Sequence, residues 1–537
     1  MPTFTLQRHW ESPLILLAAL FWLPGAGGDS FLSDDIDHLI TWGIPPFEQI
    51  WQWFYNESFH YYRPLTALLW KIEYAMWGLE PLGFQLVNFA MHAACAILVR
   101  ELGCQLFPGD NRAGLLAGLL FLFLPGHIFG VLMVAALTGL LCTLCYLLAT
   151  VYYLRSRTGS TTAHILGPFF FLLALLTKEL ALSLPLFVAF WEAIALHSEN
   201  RLTASRWFWA CFPYGLVAGG YLLFRFALFG QMPSSPLHAH ITATRLLINA
   251  ATYAAKCLAP WGLEELKPFF RAHPLLLTFS AGAGLAAGGF ALCYWRRILQ
   301  AGHFFGLAFF AITVLPVISL YSPWNTYLPS AGIALVLGAL FDWTSSAGRM
   351  LKLKHAAFAA FLTLSTIYSL QHQRQWFEAR ALCNQLTAEI ARLPTTGPVY
   401  LANMPAEWND VPLFVSDWAL KGTLTLQGRS REIIALGNTI KTQREERIES
   451  KAIHGNRFTL RLLSLEEFFR LEHIDILSGA KPITVNYSYT KEDIVISVSN
   501  VNEQGQANAL TIDMGSSKKM GQVYIWSGQQ FVPLIQP

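Results

Sequence analysis

The chain has 537 residues, of which 54% are hydrophobic and only 13% charged. A soluble globular chain carries about 25% charged residues, so an ordinary soluble enzyme and a disordered chain are both excluded. The balance of 37 Lys+Arg against 34 Asp+Glu, with no basic tract, argues against a nucleic-acid binder, and 18 Trp suit a polytopic membrane protein with two interfaces to anchor.

In chain order, Arg8 and His9 precede an apolar stretch at 13–28 that reads as a cleaved signal peptide or a first span. Stretches near the length of about 20 residues that a bilayer demands follow at 81–99, 113–130, 134–153, 163–177, 180–197, 207–229, 274–295, 304–320, 327–343 and 355–370. With the first, that makes about 11. Pro125, Pro168 and Pro185 are candidate kinks. For an odd number of spans, the basic connectors at Arg100/Arg112, Arg155/Arg157, Arg201/Arg206, Arg296/Arg297 and Arg349/Lys352/Lys354 all fall on the cytoplasmic side. The stretch 244–261 breaks this parity and reads as an interfacial or re-entrant helix. The outer face then holds loop 29–63, the turns at 177–179 and 321–325, loop 230–243 and everything after 370.

From Gln371 the apolar runs shorten. Residues 371–393 read as an amphipathic helix, and 399–402, 458–463, 483–489, 493–499 and 523–527 alternate as strands. The expected fold is mainly α, a polytopic transmembrane helical bundle with a small β-rich C-terminal module outside the membrane. Its parts are a membrane domain (1–371), a linker helix (372–393) and a soluble β-rich domain (394–537). The eight cysteines form no disulfide framework. Cys142 and Cys145 read as small packing residues despite their CxxC spacing. His238 and His240 share a loop with no third ligand close in sequence, so no metal site is assigned.

Loop 29–63 holds Asp29, Asp34, Asp35, Asp37, Glu48 and Glu57, and no Lys or Arg before Arg63. Carboxylates beside a membrane can have raised pKa values and act as general bases. They could equally hold a divalent cation or form a solvated acidic loop. Tyr62-Arg63-Pro64 places a planar guanidinium at a membrane surface, where it suits a phosphate or an interface anchor. Lys178-Glu179 lies between apolar stretches, and such charges mark functional sites unless the pair only neutralises itself. His127 and Arg225, within apolar segments, are weaker instances of the same signal.

Several segments resemble the transmembrane and TPR-containing O-mannosyltransferases and their bacterial relatives. They are Phe31-Leu32-Ser33-Asp34-Asp35, Tyr62-Arg63-Pro64-Leu65-Thr66, Gly78-Leu79-Glu80-Pro81 and Leu86-Val87-Asn88 with His92. Pro125-x-His127, Lys178-Glu179, Tyr221 with Arg225, and Tyr327-Leu328-Pro329-Ser330-Ala331-Gly332 also match. The order holds over residues 10–390. The resemblance implies a GT-C-like membrane fold with a retained first span and inverting transfer of a sugar, such as a mannose-like hexose, on the extracytoplasmic face. The donor would be a polyprenyl- or dolichyl-phosphate sugar and the acceptor a glycan, lipid or protein. Carried over by position, Asp34 or Asp35 would be the catalytic base. Arg63, Lys178 and Arg225 would bind the donor phosphate, with Tyr62, Glu179 and His127 beside them.

The chain departs from that pattern at Phe129, Leu137, Gly139, Gln85 and Trp324, where the family often carries polar or charged groups. The TPR array is missing. These departures motivate a second reading, a catalytically silent relative that binds lipid or scaffolds an envelope complex. A transporter is a third, without the paired half-helices or internal repeat it would want. The missing repeats suggest a bacterial inner membrane, with the C-terminal domain outside.

Overall fold

The computed structural model describes residues 11–49, 52–55, 62–107, 111–230, 242–258, 301–319, 321–341, 348–393, 397–414, 417–429, 432–440, 448–454, 457–463, 468–470, 485, 487–491, 493–502, 506–515 and 523–534. The expected span at 274–295 lies outside them. The chain divides into two compact units. One comprises Met1–Pro24, Pro46–Leu69 and Gly83–Gln373, and the other Gly25–Pro45, Trp70–Leu82 and Arg374–Pro537.

The first unit is helical. Five of its helices are long and apolar enough to cross a membrane: Pro81–Leu106, Val134–Arg157, Glu179–Ser198, Ala204–Phe229 and Pro323–Phe341. Arg112–Phe123 and Pro125–Leu132 make a sixth if taken together, bent by 50° at their junction. Leu124 is extended there (φ −61°, ψ 128°) because the ring of Pro125 disfavours a helical residue before it. Glu11–Ala26, Thr161–Leu175 and Gly302–Val317 are apolar but shorter. The described helices thus make an integral membrane protein, with five or six full-length spans among them where about 11 are expected from hydropathy. Stretch 244–261 contains one helix, Ala243–Leu258, whose Asn249 amide donates to the carbonyls of Ile318 and Ser319 at 2.8 and 3.0 Å.

Close packing in this unit uses glycine. A Cβ on Gly306 would lie 2.6 Å from the carbonyl oxygen of Gly332, so helices Ala301–Val314 and Tyr327–Phe341 touch backbone to backbone. Basic connectors find partners across helices. Arg100 pairs with buried Glu11, Arg155 with Glu101 at 3.0 Å, and Arg157 with Glu192 and, at 2.6 Å, with Glu199.

The expected span at 355–370 and the amphipathic segment after it form one unbroken helix, Gly348–Arg392. No proline or glycine interrupts it, so the change from apolar to amphipathic leaves no break in the backbone.

The second unit holds the β-structure. Ser488–Lys491, Ile494–Val501, Ala507–Asp513, Arg457–Leu462 and Ile448–His454 form an antiparallel sheet in that order. Arg457–Leu462 alternates exposed and buried residues, as the pleat dictates. Its inner face packs Phe458, Leu460, Ile496, Leu510 and Ile512 into one apolar core. A second sheet pairs Val399–Leu401 in parallel with both Ile433–Ala435 and Val523–Trp526. The helix Asp417–Leu426, absent from the sequence reading, lies between the first two of these strands in the chain. Parallel neighbours need such a crossover, so this part is α/β where alternation alone suggested only strands.

Candidate functional site

Tyr62 and Arg63 precede the helix Pro64–Trp77, which starts on a proline because its missing N–H is unneeded there. The Leu65 N–H donates to the Leu176 carbonyl at 3.1 Å, tying this segment to the end of helix Thr161–Leu175. The chain then turns. Lys178 is extended (φ −158°, ψ 139°) and Glu179 opens the next helical segment.

This geometry gathers six of the residues singled out in the sequence. Arg225 Nη1 donates to Glu179 Oε1 at 2.9 Å and to the Tyr221 hydroxyl at 3.2 Å, one turn away on the same helix. Arg63 Nη2 lies 3.8 Å from the other carboxylate oxygen of Glu179. Lys178 Nζ donates to Asn325 Oδ1 at 2.7 Å. The Tyr62 ring packs against Tyr221, Phe224 and Phe229, and the Arg225 guanidinium lies over Phe229. Three cations therefore share the field of one carboxylate. The Arg63 and Glu179 side chains keep 15% and 22% of their surface exposed, so an anion can reach them. Planar guanidiniums bind two oxygens of a phosphate at once.

Burial, helped by the charge of Arg63, lowers the Lys178 pKa from 10.5 to about 8. Anion binding at this cluster should accordingly weaken as pH rises through about 8. The unfolded chain binds more protons than the folded one between about 8 and 10.5, so stability changes oppositely and rises with pH across that window. Titrating lipid-phosphate affinity from pH 7 to 9 checks the first effect, which Lys178→Met should flatten.

His127 hydrogen-bonds elsewhere. Its Nε2 is 2.7 Å from Ser330 Oγ, and its ring packs against Phe121, Tyr327 and His92. His92 Nδ1 in turn meets the Tyr327 hydroxyl at 2.6 Å. These side chains are buried. Asn325, missed from the sequence, carried no signal beyond lying in a short polar turn.

Asp34 and Asp35 belong to the other unit. Ser33 before them adopts φ 47°, ψ −116°, a strained backbone costing of order 1–3 kcal/mol that persists only where the surroundings over-determine it. The turn separates the two carboxylates. Asp34 is exposed, with the Ser33 hydroxyl donating to it at 3.4 Å. Asp35 is buried and accepts the Leu32 N–H at 3.1 Å. Burial raises the pKa of Asp37, against the hydrogen bond it accepts from Thr41 at 3.1 Å. Among the described residues no group of three or more His, Cys, Asp or Glu is placed to hold a metal ion.

No family model matches the chain. The human protein O-mannosyl-transferase TMTC4 is 24% identical over 454 residues, covering 70% of this chain and 61% of its own length. The mouse protein of that name is 26% identical over 389 residues, covering 60% and 52%. The relatives of this chain are the TMTC O-mannosyl-transferases. It spans between about half and three fifths of the length of these two TMTC4 proteins. Similarity is higher over a shorter stretch of Drosophila melanogaster Tmtc1, 36% over 124 residues, or 23% of this chain and 14% of that one. Among solved structures, the apo oligosaccharyltransferase of Archaeoglobus fulgidus aligns with 80% of this chain and 65% of its own, at 12% identity and a TM-score of 0.42. The enzyme from the same organism in complex with an inhibitory peptide and a dolichol-phosphate gives 12% identity, a TM-score of 0.43 and coverage of 80% and 64%.

Proposed function

We propose that the protein is a membrane glycosyltransferase that moves a hexose from a polyprenyl- or dolichyl-phosphate donor to an acceptor hydroxyl on a glycan, lipid or protein. The observation that carries this reading is the convergence of Arg63, Lys178 and Arg225 around Glu179. A lipid-phosphate leaving group departs as an anion, so its loss needs fixed cations more than a strong general acid. The arginines take the phosphate oxygens, and Lys178 adds a point charge. The acceptor oxygen attacks the anomeric carbon as the bond from that carbon to the phosphate oxygen breaks. The acceptor proton passes to a carboxylate, and a single displacement inverts the anomeric centre. Asp34, exposed on a strained turn, fits the base better than buried Asp35. The TMTC relatives, named as O-mannosyl-transferases, support a mannose-like sugar. Transfer takes place on the extracytoplasmic face.

The experiment is transfer and lipid binding in proteoliposomes supplied with labelled polyprenyl-phosphate hexose. A charge-assisted hydrogen bond is worth about 1.5–3 kcal/mol, so Arg63→Ala or Arg225→Ala should raise the donor KM roughly 10- to 100-fold. Unchanged KM in both variants overturns the phosphate assignment. Lipid binding without transfer from any hexose donor favours the catalytically silent relative.

A further inference from the structure

We infer that Arg380 is a positioning residue, which fixes the first-loop backbone carrying Asp34 and Asp35 against the helix Gly348–Arg392. The inference rests on the reading of Asp34 as the base.

Arg380 is 1% exposed, on the segment of that helix belonging to the second unit. Its Nη1 donates to the carbonyls of Gly25 and Gly27, both at 2.8 Å. Gly28 has φ +110°, and a Cβ there would sit 2.8 and 2.9 Å from Cδ and Cβ of Arg380. The loop therefore crosses the arginine stem at a distance and a backbone angle that only glycine tolerates. About one turn on, Ser30 Oγ lies 3.2 Å from Cys383 Sγ. Next along the loop, the Ser33 N–H donates to the Leu413 carbonyl at 2.9 Å. Burial lowers the Arg380 pKa to about 10, and the negative charge of Asp35 opposes that shift. Each contact fixes backbone on the N-terminal side of Asp34, up to the strained Ser33. A buried guanidinium is costly unless hydrogen bonds and opposite charge offset its burial, and here the loop that carries the candidate base supplies two acceptor carbonyls and a nearby carboxylate.

The consequence is functional. A misplacement of about 1 Å at a reacting group can cost about 100-fold in rate. Arg380→Met keeps the stem and removes the charge and both donors. It should lower kcat roughly 100-fold while leaving the donor KM near its wild-type value, because Arg63, Lys178 and Arg225 are untouched. Arg380→Lys should recover part of the loss. Ser30→Cys places a thiol beside Cys383, and oxidation of Ser30→Cys/Arg380→Met should restore kcat in a manner that a reductant reverses. Should Arg380→Met fail to fold, Gly28→Ala tests the same contact with the charge retained, and should give the same split between kcat and KM.

Wild-type kcat in Arg380→Met or Gly28→Ala overturns the inference. So does an oxidised double variant whose disulfide is confirmed by mass but whose kcat does not recover. Failure of the thiol introduced by Ser30→Cys to cross-link with Cys383 in the otherwise wild-type chain overturns it as well. The base reading fails separately, through an active Asp34→Asn. In that event faster amide exchange over residues 25–36 in Arg380→Met would still support the pinning, and unchanged exchange would overturn it.

Discussion

Asp34→Asn is expected to lower kcat by about 10²- to 10⁴-fold, the range over which a positioned general base acts, with the donor KM little changed. The replacement is nearly isosteric and removes the negative charge together with the capacity to take a proton. Because Asp34 is exposed, the variant should unfold at the wild-type temperature. Asp35→Asn should behave differently. Asp35 is buried, accepts the Leu32 N–H and offsets the charge of Arg380. A hydrogen bond to a charged group is worth about 1.5–3 kcal/mol, so the expected result is a lower unfolding midpoint, with activity lost in proportion to unfolded protein. Turnover assays beside thermal unfolding of both variants separate the roles. Full turnover in folded Asp34→Asn would remove the base assignment.

The second large effect is expected at Glu179. This carboxylate is held by Arg225 at 2.9 Å and Arg63 at 3.8 Å. Glu179→Gln removes the negative charge that Arg225 and Arg63 share. The cluster is neither fully buried nor fully exposed, so the cost should fall between the exposed and buried limits, at about 2 kcal/mol. On the proposed function, a bound lipid phosphate would replace the lost charge. Unfolding of Glu179→Gln should therefore start from a lower midpoint and rise more than wild type when polyprenyl phosphate is added. Equal midpoints and equal lipid-induced shifts would show that Glu179 and the cations do not form one electrostatic unit.

Arg63 and the Lys178-Glu179 pair were visible in the sequence because charge beside or within apolar stretches is rare and costly. Their partnership was not visible, since Arg63 and Glu179 are far apart in the chain. Asn325, which holds Lys178 in the cluster, is an ordinary polar side chain. Arg380 gave less signal still, being one charge among several in a segment that reads as amphipathic. Among the described residues fewer full-length spans appear than hydropathy suggests, and one expected span lies outside them. Hydropathy measures whether a stretch tolerates lipid, while a full-length span also needs an unbroken helix. Pro125 bends one stretch, and others end after 14 to 16 residues.

Membrane class, the supply of acids and bases, and the change of character after Gln371 follow from the sequence alone, because they are sums of side-chain transfer energies along the chain. Tertiary structure decided which charges meet. It set Glu179 among Arg63, Arg225 and Lys178, gave His127 to Ser330, and turned Asp34 outward while burying Asp35. These are outcomes of helix packing and of one strained turn at Ser33, where groups remote in the chain satisfy one another because an unpaired buried charge or donor costs more than the folding that pairs it.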